Sequence, residues 1–146
     1  MNDRKQIEKK IQTYVNGMEE LDGDKTTEVF ADCAVVVGHL NGELNDMMPE
    51  DFSELVEKFP VYTSCTRETG SNGKMRDVDF EIVACEIEGL TATVRVKFKC
   101  LGISYVDTLA FIKEEGEWKI FHRLFAITNP YNKEGGYEPV PDLHLA

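Results

Sequence analysis

Residues 90–127, LTATVRVKFKCLGISYVDTLAFIKEEGEWKIFHRLFAI, alternate apolar and polar side chains and are interrupted only at Leu101-Gly102 and Glu115-Gly116. Alternation with period two is the signature of a half-buried strand, and glycine-containing two-residue interruptions are tight hairpin turns. The stretch therefore reads as three antiparallel strands. A fourth run, Val78 to Ile87, precedes them across Glu88-Gly89, which predicts a four-stranded meander.

Two-residue turns fix an expected register. Cys100 falls opposite Ile103, Val96 opposite Asp107 and Phe98 opposite Tyr105; in the last hairpin Phe111 faces Ile120, Leu109 faces His122 and Asp107 faces Leu124. One face then collects Ala92, Val94, Val96, Phe98, Tyr105, Leu109, Phe111, Trp118, Ile120 and Leu124, with Asp107 and His122 as its polar members. A slip of one residue would turn those two outward. On this register Val106, Ala110, Ile112, Phe121, Phe125 and Ile127 point the other way, beside Arg95, Lys97, Lys99, Lys119 and Arg123. An outer face so apolar needs a cover, and a homodimer packed sheet to sheet supplies one.

Upstream of the meander the period changes to that of a helix. Ile7, Ile11, Tyr14, Val15, Met18 and Leu21 form one stripe, Asp22-Gly23-Asp24 breaks it, and Asp24 is placed to cap a short second helix carrying Val29 and Phe30. Val35-Val36-Val37 begins a strand that turns at Asn41-Gly42. Pro49 opens a third helix, with Phe52, Leu55, Val56 and Phe59 on one face, and Pro60 ends it. Thr63 to Arg76 reads as a long polar loop. The expected organisation is a single domain over residues 1–128 followed by an irregular Pro/Gly-rich tail, 129–146.

Composition limits the partners. The chain has 146 residues, and its 27 Asp+Glu against 16 Lys+Arg give a net charge of -11, which disfavours nucleic acid and anionic membranes. No apolar stretch is long enough for a signal or a membrane span, and the expected location is the cytoplasm. Cys33, Cys65, Cys85 and Cys100 lack metal or redox spacing and read as free thiols, with Cys33, Cys85 and Cys100 as small core residues. Neither a metal nor a cofactor is expected, and the nucleotide, Rossmann, serine-hydrolase and zinc-protease motifs do not occur.

The order helix, short helix, hairpin, third helix and meander resembles the nuclear transport factor 2-like superfamily. The closing segments Tyr105-Val106-Asp107-Thr108-Leu109-Ala110-Phe111-Ile112 and Gly116-Glu117-Trp118-Lys119-Ile120 carry most of that resemblance. It is nearest the superfamily's lumazine-binding and polyketide-cyclase-like branch, over about residues 5 to 128. The resemblance implies a cystatin-like α+β fold: a cone-shaped, curved and mostly antiparallel sheet wrapped around three N-terminal helices, dimeric, with a pocket inside the cone. Because that superfamily includes isomerases, dehydratases, cyclases, binders and non-catalytic interaction domains, function has to be argued from the residues.

Asp107 is the leading candidate, since a carboxylate among Val96, Phe98, Leu109 and Leu124 loses solvation, an environment that suits a general base. His122, one strand over, would be its acid or electrophile in a cofactor-free isomerase, dehydratase or cyclase. The plainer readings are a structural Asp bonded to a tyrosine or the backbone and a hydrogen-bonded core histidine. Tyr14, Tyr105 and Trp118, with Met18 and Phe98, are the residues expected to line a pocket for a small apolar or planar ligand, and each is also an ordinary core residue. The readings carried forward are a small-molecule binder, the enzyme using Asp107 and His122, and a non-catalytic dimerisation module whose cone is filled by its own side chains.

Overall fold

The computed structural model describes residues 2–58 and 76–138. Helix α1 (Asp3–Glu19) starts where the Asn2 side chain accepts a hydrogen bond from the Lys5 backbone N–H at 2.8 Å, and its stripe of Ile7, Ile11, Tyr14, Val15 and Met18 is fully buried. Helix α2 (Gly23–Thr27) is capped by Asp22 rather than by the expected Asp24, which lies inside the first turn. Gly17 lets α1 and α2 meet closely, since a Cβ there would stand 2.5 Å from the Thr26 backbone nitrogen, and Gly23 lets α2 approach the helix that carries Ser53, whose hydroxyl a Cβ would strike. Helix α3 (Pro49–Glu57) has proline in its first turn, and the Asp51 carboxylate accepts from the Met48 N–H at 3.3 Å. The expected end of this helix at Phe59-Pro60 and all but the last residue of the Thr63 to Arg76 loop lie outside the described residues.

Six strands form one sheet: β1 (Phe30–Leu40), β2 (Glu43–Met47), β3 (Phe80–Glu88), β4 (Thr91–Cys100), β5 (Ile103–Glu114) and β6 (Glu117–Ile127), in the order β2-β1-β6-β5-β4-β3. Every neighbouring pair is antiparallel except β1 with β6. Phe30 opens β1 instead of extending α2, and the carbonyl of Val29, in the turn just before it, accepts from the Ile120 N–H at 2.9 Å. The turns Asn41-Gly42, Leu101-Gly102 and Glu115-Gly116 put both central residues at positive φ, between 51° and 82°. This is the backbone that matches strand twist in a two-residue hairpin. Between β3 and β4 the tip is Gly89-Leu90, one residue later than expected, with Gly89 at φ 60°.

The helices lie on the concave side of this open, curved sheet, α1 against β4 and β6 and α3 against β1. The β4/β5 register is the expected one, from Cys100 opposite Ile103 through Val96 opposite Asp107. The β5/β6 register is not. It follows expectation from Glu114 opposite Glu117 to Phe111 opposite Ile120, then shifts by one, so that Ala110 faces His122, Leu109 faces Arg123 and Asp107 faces Phe125. The extra residue is a β-bulge on β6, which bends the strand and reverses the side-chain faces beyond it. Arg123 and Phe125 therefore point into the core at 2% and 5% exposure, whereas His122 and Leu124 point out.

The residues after β6 are not irregular throughout. Tyr131–Asn132 (β7) and Gly136–Tyr137 (β8) pair as a small hairpin. Asn129 ties it to the sheet: its side-chain NH2 donates to the carbonyls of Gly102 and Glu138 at 3.0 and 2.8 Å, and its carbonyl oxygen accepts from the Ser104 N–H. The two tyrosines then clamp the β1/β2 turn. The Tyr131 hydroxyl donates to the Asn41 carbonyl and the Tyr137 hydroxyl accepts from the Asn41 N–H, both at 2.7 Å.

Candidate functional site

At the centre of the cone one charged pair is sealed from water. Asp107 on β5 is fully buried, and Arg123 on β6 reaches it with two hydrogen bonds, Nε to Oδ2 at 2.8 Å and Nη2 to Oδ1 at 3.3 Å. The Tyr14 hydroxyl, from α1, donates to the same Oδ2 at 2.6 Å. Charge-assisted bonds of this kind are short and strong, and the planar fork of arginine fits a carboxylate edge.

Aromatic rings enclose the guanidinium. Its carbon lies 4.5 Å from the Phe125 ring centroid, 5.0 Å from that of Phe52, and 5.4 Å from those of Tyr14 and Tyr105. The rings also pack on one another: Phe98 stacks on Tyr105 at 5.1 Å, and Tyr14 meets the edges of Phe30 and Phe98 at 5.5 and 5.9 Å. A cation over ring faces in a dry interior is attracted by their quadrupoles.

These surroundings set the protonation states. Burial by itself weakens the Arg123 cation, but the Asp107 charge beside it, with Tyr14 and Tyr105, reverses that effect and its pKa stands above the ordinary arginine value. Burial pushes the Tyr14 phenol well up; Arg123 opposes this, while Asp107 adds to it by charge and hydrogen bond. Tyr105 is likewise pushed up, chiefly by burial. Burial and the nearby Glu19 also push the Cys100 thiol up. At neutral pH the centre thus holds two phenols and a thiol in their protonated forms around one ion pair.

Tyr14, Tyr105, Phe98 and Asp107 come together at this centre, and Met18 lies one turn beyond Tyr14 on the buried stripe of α1. Trp118 is buried elsewhere. Its indole N–H donates to Asp3 Oδ1 at 3.1 Å, beside Lys113, and Asp3 precedes Tyr14 by about 16 Å along the helix axis. His122 is exposed on the outer face between Val35 and Ala110, so the expected Asp107–His122 acid/base pair is not assembled. The cause is the bulge, which puts Arg123 where His122 was expected. Sequence reasoning missed Arg123 as a site residue. A signal for it exists in the parity of β6, because Trp118 and Ile120 are core residues at even positions and Phe125 is one at an odd position. Such a switch inside one strand requires an inserted residue.

Cys33 is exposed rather than a core residue, Cys85 is half-buried and Cys100 is buried, while Cys65 lies outside the described residues. Among the described residues no three His, Cys, Asp or Glu side chains gather as a metal site, and no helix is long and apolar enough to cross a membrane.

Comparison with known proteins agrees with this architecture. A family model described as "Putative lumazine-binding" matches residues 2–126. Among solved structures, a nuclear transport factor 2-like protein of unknown function from Silicibacter pomeroyi is 25% identical, with a TM-score of 0.69 over 87% of this chain and 99% of its own. A domain of unknown function with a cystatin-like fold from Nostoc punctiforme superposes with a TM-score of 0.66 at 10% identity, over 90% of this chain and 81% of its own. A ketosteroid isomerase-like protein from Erwinia carotovora atroseptica gives 0.63 at 14% identity, over 89% and 100%. The latter two likenesses concern the fold alone. No curated protein matches the sequence.

Proposed function

The chain belongs to the family described as "Putative lumazine-binding", of nuclear transport factor 2-like fold, and on that premise we propose that it is a cytoplasmic homodimer that binds a small planar ligand inside the cone. The observation that carries this reading is the Tyr14–Asp107–Arg123 network inside its shell of rings. A desolvated ion pair contributes little net stability compared with well-packed apolar residues of similar volume, so its presence is better explained by a polar recognition task. The rings of Phe52, Phe98, Tyr105 and Phe125 supply stacking surface, and a ligand with a heteroatom-bearing edge would exchange for part of the hydrogen bonding that Arg123 and Tyr14 now direct at Asp107. The arrangement favours binding over acid/base catalysis, because the Asp107 carboxylate is occupied by the arginine fork and the phenol.

The dimer of this proposal forms through the outer sheet face. There Val35, Val37, Leu124, Ala126 and Val106 make a continuous apolar band, with Leu124 48% exposed. Arg95 and Lys97 lie at its margin on β4.

Titration with lumazine, followed by its fluorescence, tests the ligand reading. Saturable binding to the wild type that weakens at least tenfold in Arg123→Lys, which keeps the charge but loses the planar fork, is the expected result. Absence of saturable binding to lumazine, together with an empty protein after gentle purification, would reject it.

A further inference from the structure

The paired ladder of β1 and β6 ends at Gly38 opposite Phe125, and beyond it the two parallel strands part. The wedge between them is a cleft of about 270 Å³, lined by His39 and Gly42 on one side, Phe125 and Ile127 on the other, and Tyr131 and Tyr137 from the tail hairpin. It lies outside the ring shell of the cone and shares only Phe125 with it. We propose that this cleft is a second binding site, for a small planar heteroaromatic molecule bearing a hydrogen-bond donor and an acceptor.

Shape and chemistry both point to that class. Three aromatic side chains and an isoleucine make flat apolar walls, and the volume approaches the lower end of ligand pockets, about 300 Å³. Tyr131 and Tyr137 stand with ring centroids 5.2 Å apart and an interplanar angle of 50°, so they form a tilted wall rather than a closed stack. Their hydroxyls are held in place by one residue, Asn41. That of Tyr137 accepts from the Asn41 N–H and keeps its own proton to donate; that of Tyr131 donates to the Asn41 carbonyl and keeps lone pairs to accept. Burial, opposed by the Asn41 bond and reinforced by Tyr131, raises the Tyr137 pKa and keeps that donor in place at neutral pH. His39 adds an exposed imidazole at the rim. Gly42 is required for this geometry, because at φ 80° a Cβ would be strained and would stand 3.0 Å from the Tyr131 ring.

Benzimidazole, a flat bicycle with one donor and one acceptor, is the probe, added to the full-length 15N-labelled protein and followed by amide chemical shifts. The expected result is saturable shifts at His39, Gly42, Tyr131 and Tyr137, with affinity reduced about tenfold in Tyr131→Ala and measurably reduced in His39→Ala, whose exposed side chain leaves folding intact. Shifts confined to Tyr14, Met18 and Asp107, no saturation at millimolar probe, or unchanged affinity in both cleft variants would overturn the proposal.

Discussion

Replacing Asp107 by leucine should be among the most damaging substitutions in this chain. The carboxylate is fully buried and receives three hydrogen bonds, two from Arg123 and one from Tyr14. Its removal leaves a guanidinium at 2% exposure without a counter-charge, a situation that costs about 3–5 kcal/mol. The orphaned Tyr14 hydroxyl adds about 1–3 kcal/mol, partly relieved if a water enters. A total loss of about 4–8 kcal/mol is a large share of the roughly 5–15 kcal/mol that holds a domain folded. With a urea slope near 2 kcal/mol/M, the midpoint should fall by about 2–4 M. The double variant Asp107→Leu/Arg123→Met removes both charges and should recover to within about 2 kcal/mol of the wild type. Equilibrium urea unfolding monitored by circular dichroism measures all three proteins. A single-variant loss below about 1 kcal/mol, or a double variant as unstable as the single, would refute the claim that the pair is sealed from water.

Three further outcomes follow from the same packing. The pKa values of Tyr14, Tyr105 and Cys100 are raised by folding, so the folded chain holds these protons more tightly than the unfolded one. Their stabilisation is complete below the unfolded values, about 8.5 for the thiol and 10 for the phenols, and is lost above them at up to about 1.4 kcal/mol per pH unit for each group. Urea midpoints should therefore decline steeply from pH 9 to 11, and a flat profile would contradict the burial. Gly38→Ala would put a Cβ 2.5 Å from the Phe125 carbonyl oxygen and 2.7 Å from its ring, so thermal unfolding should reveal a loss of at least about 1–3 kcal/mol, and an unchanged Tm would contradict the close approach of β1 and β6. Leu124→Lys places a charge in the outer apolar band, and for the proposed interface light scattering should report a dimer for the wild type and a monomer for the variant; a dimeric variant would exclude this face.

The parts of the fold legible in the sequence were those governed by local rules. The helix stripe of Ile7 through Met18 and the β4/β5 register followed from periodicity and a two-residue turn, because nothing interrupts either element. The β6 register did not, because a bulge at Phe121 leaves no local mark beyond the parity of Phe125, and one inserted residue exchanges His122 for Arg123 in the core. Periodicity therefore turns Asp107 and Tyr14 toward the interior but puts their cationic partner, Arg123, on the outer face. The tail was illegible for a different reason. The two-residue strands β7 and β8 are too short to show a period, and what holds them is long-range: Asn129 to Gly102 and Ser104, and the two tyrosines to Asn41. The strand period turns Trp118 inward, as the structure has it, but burial says nothing about position along a helix, and its partner Asp3 lies far from Tyr14.

The most direct test of the central claim is a native mass spectrum of the gently purified protein, taken before and after addition of lumazine. The account predicts a dimer that carries a bound molecule of a few hundred daltons as isolated, or takes up at least one lumazine per chain. A bare mass in both spectra, unchanged at excess lumazine, would contradict small-molecule binding and leave the buried Tyr14–Asp107–Arg123 network as a purely structural feature of the core.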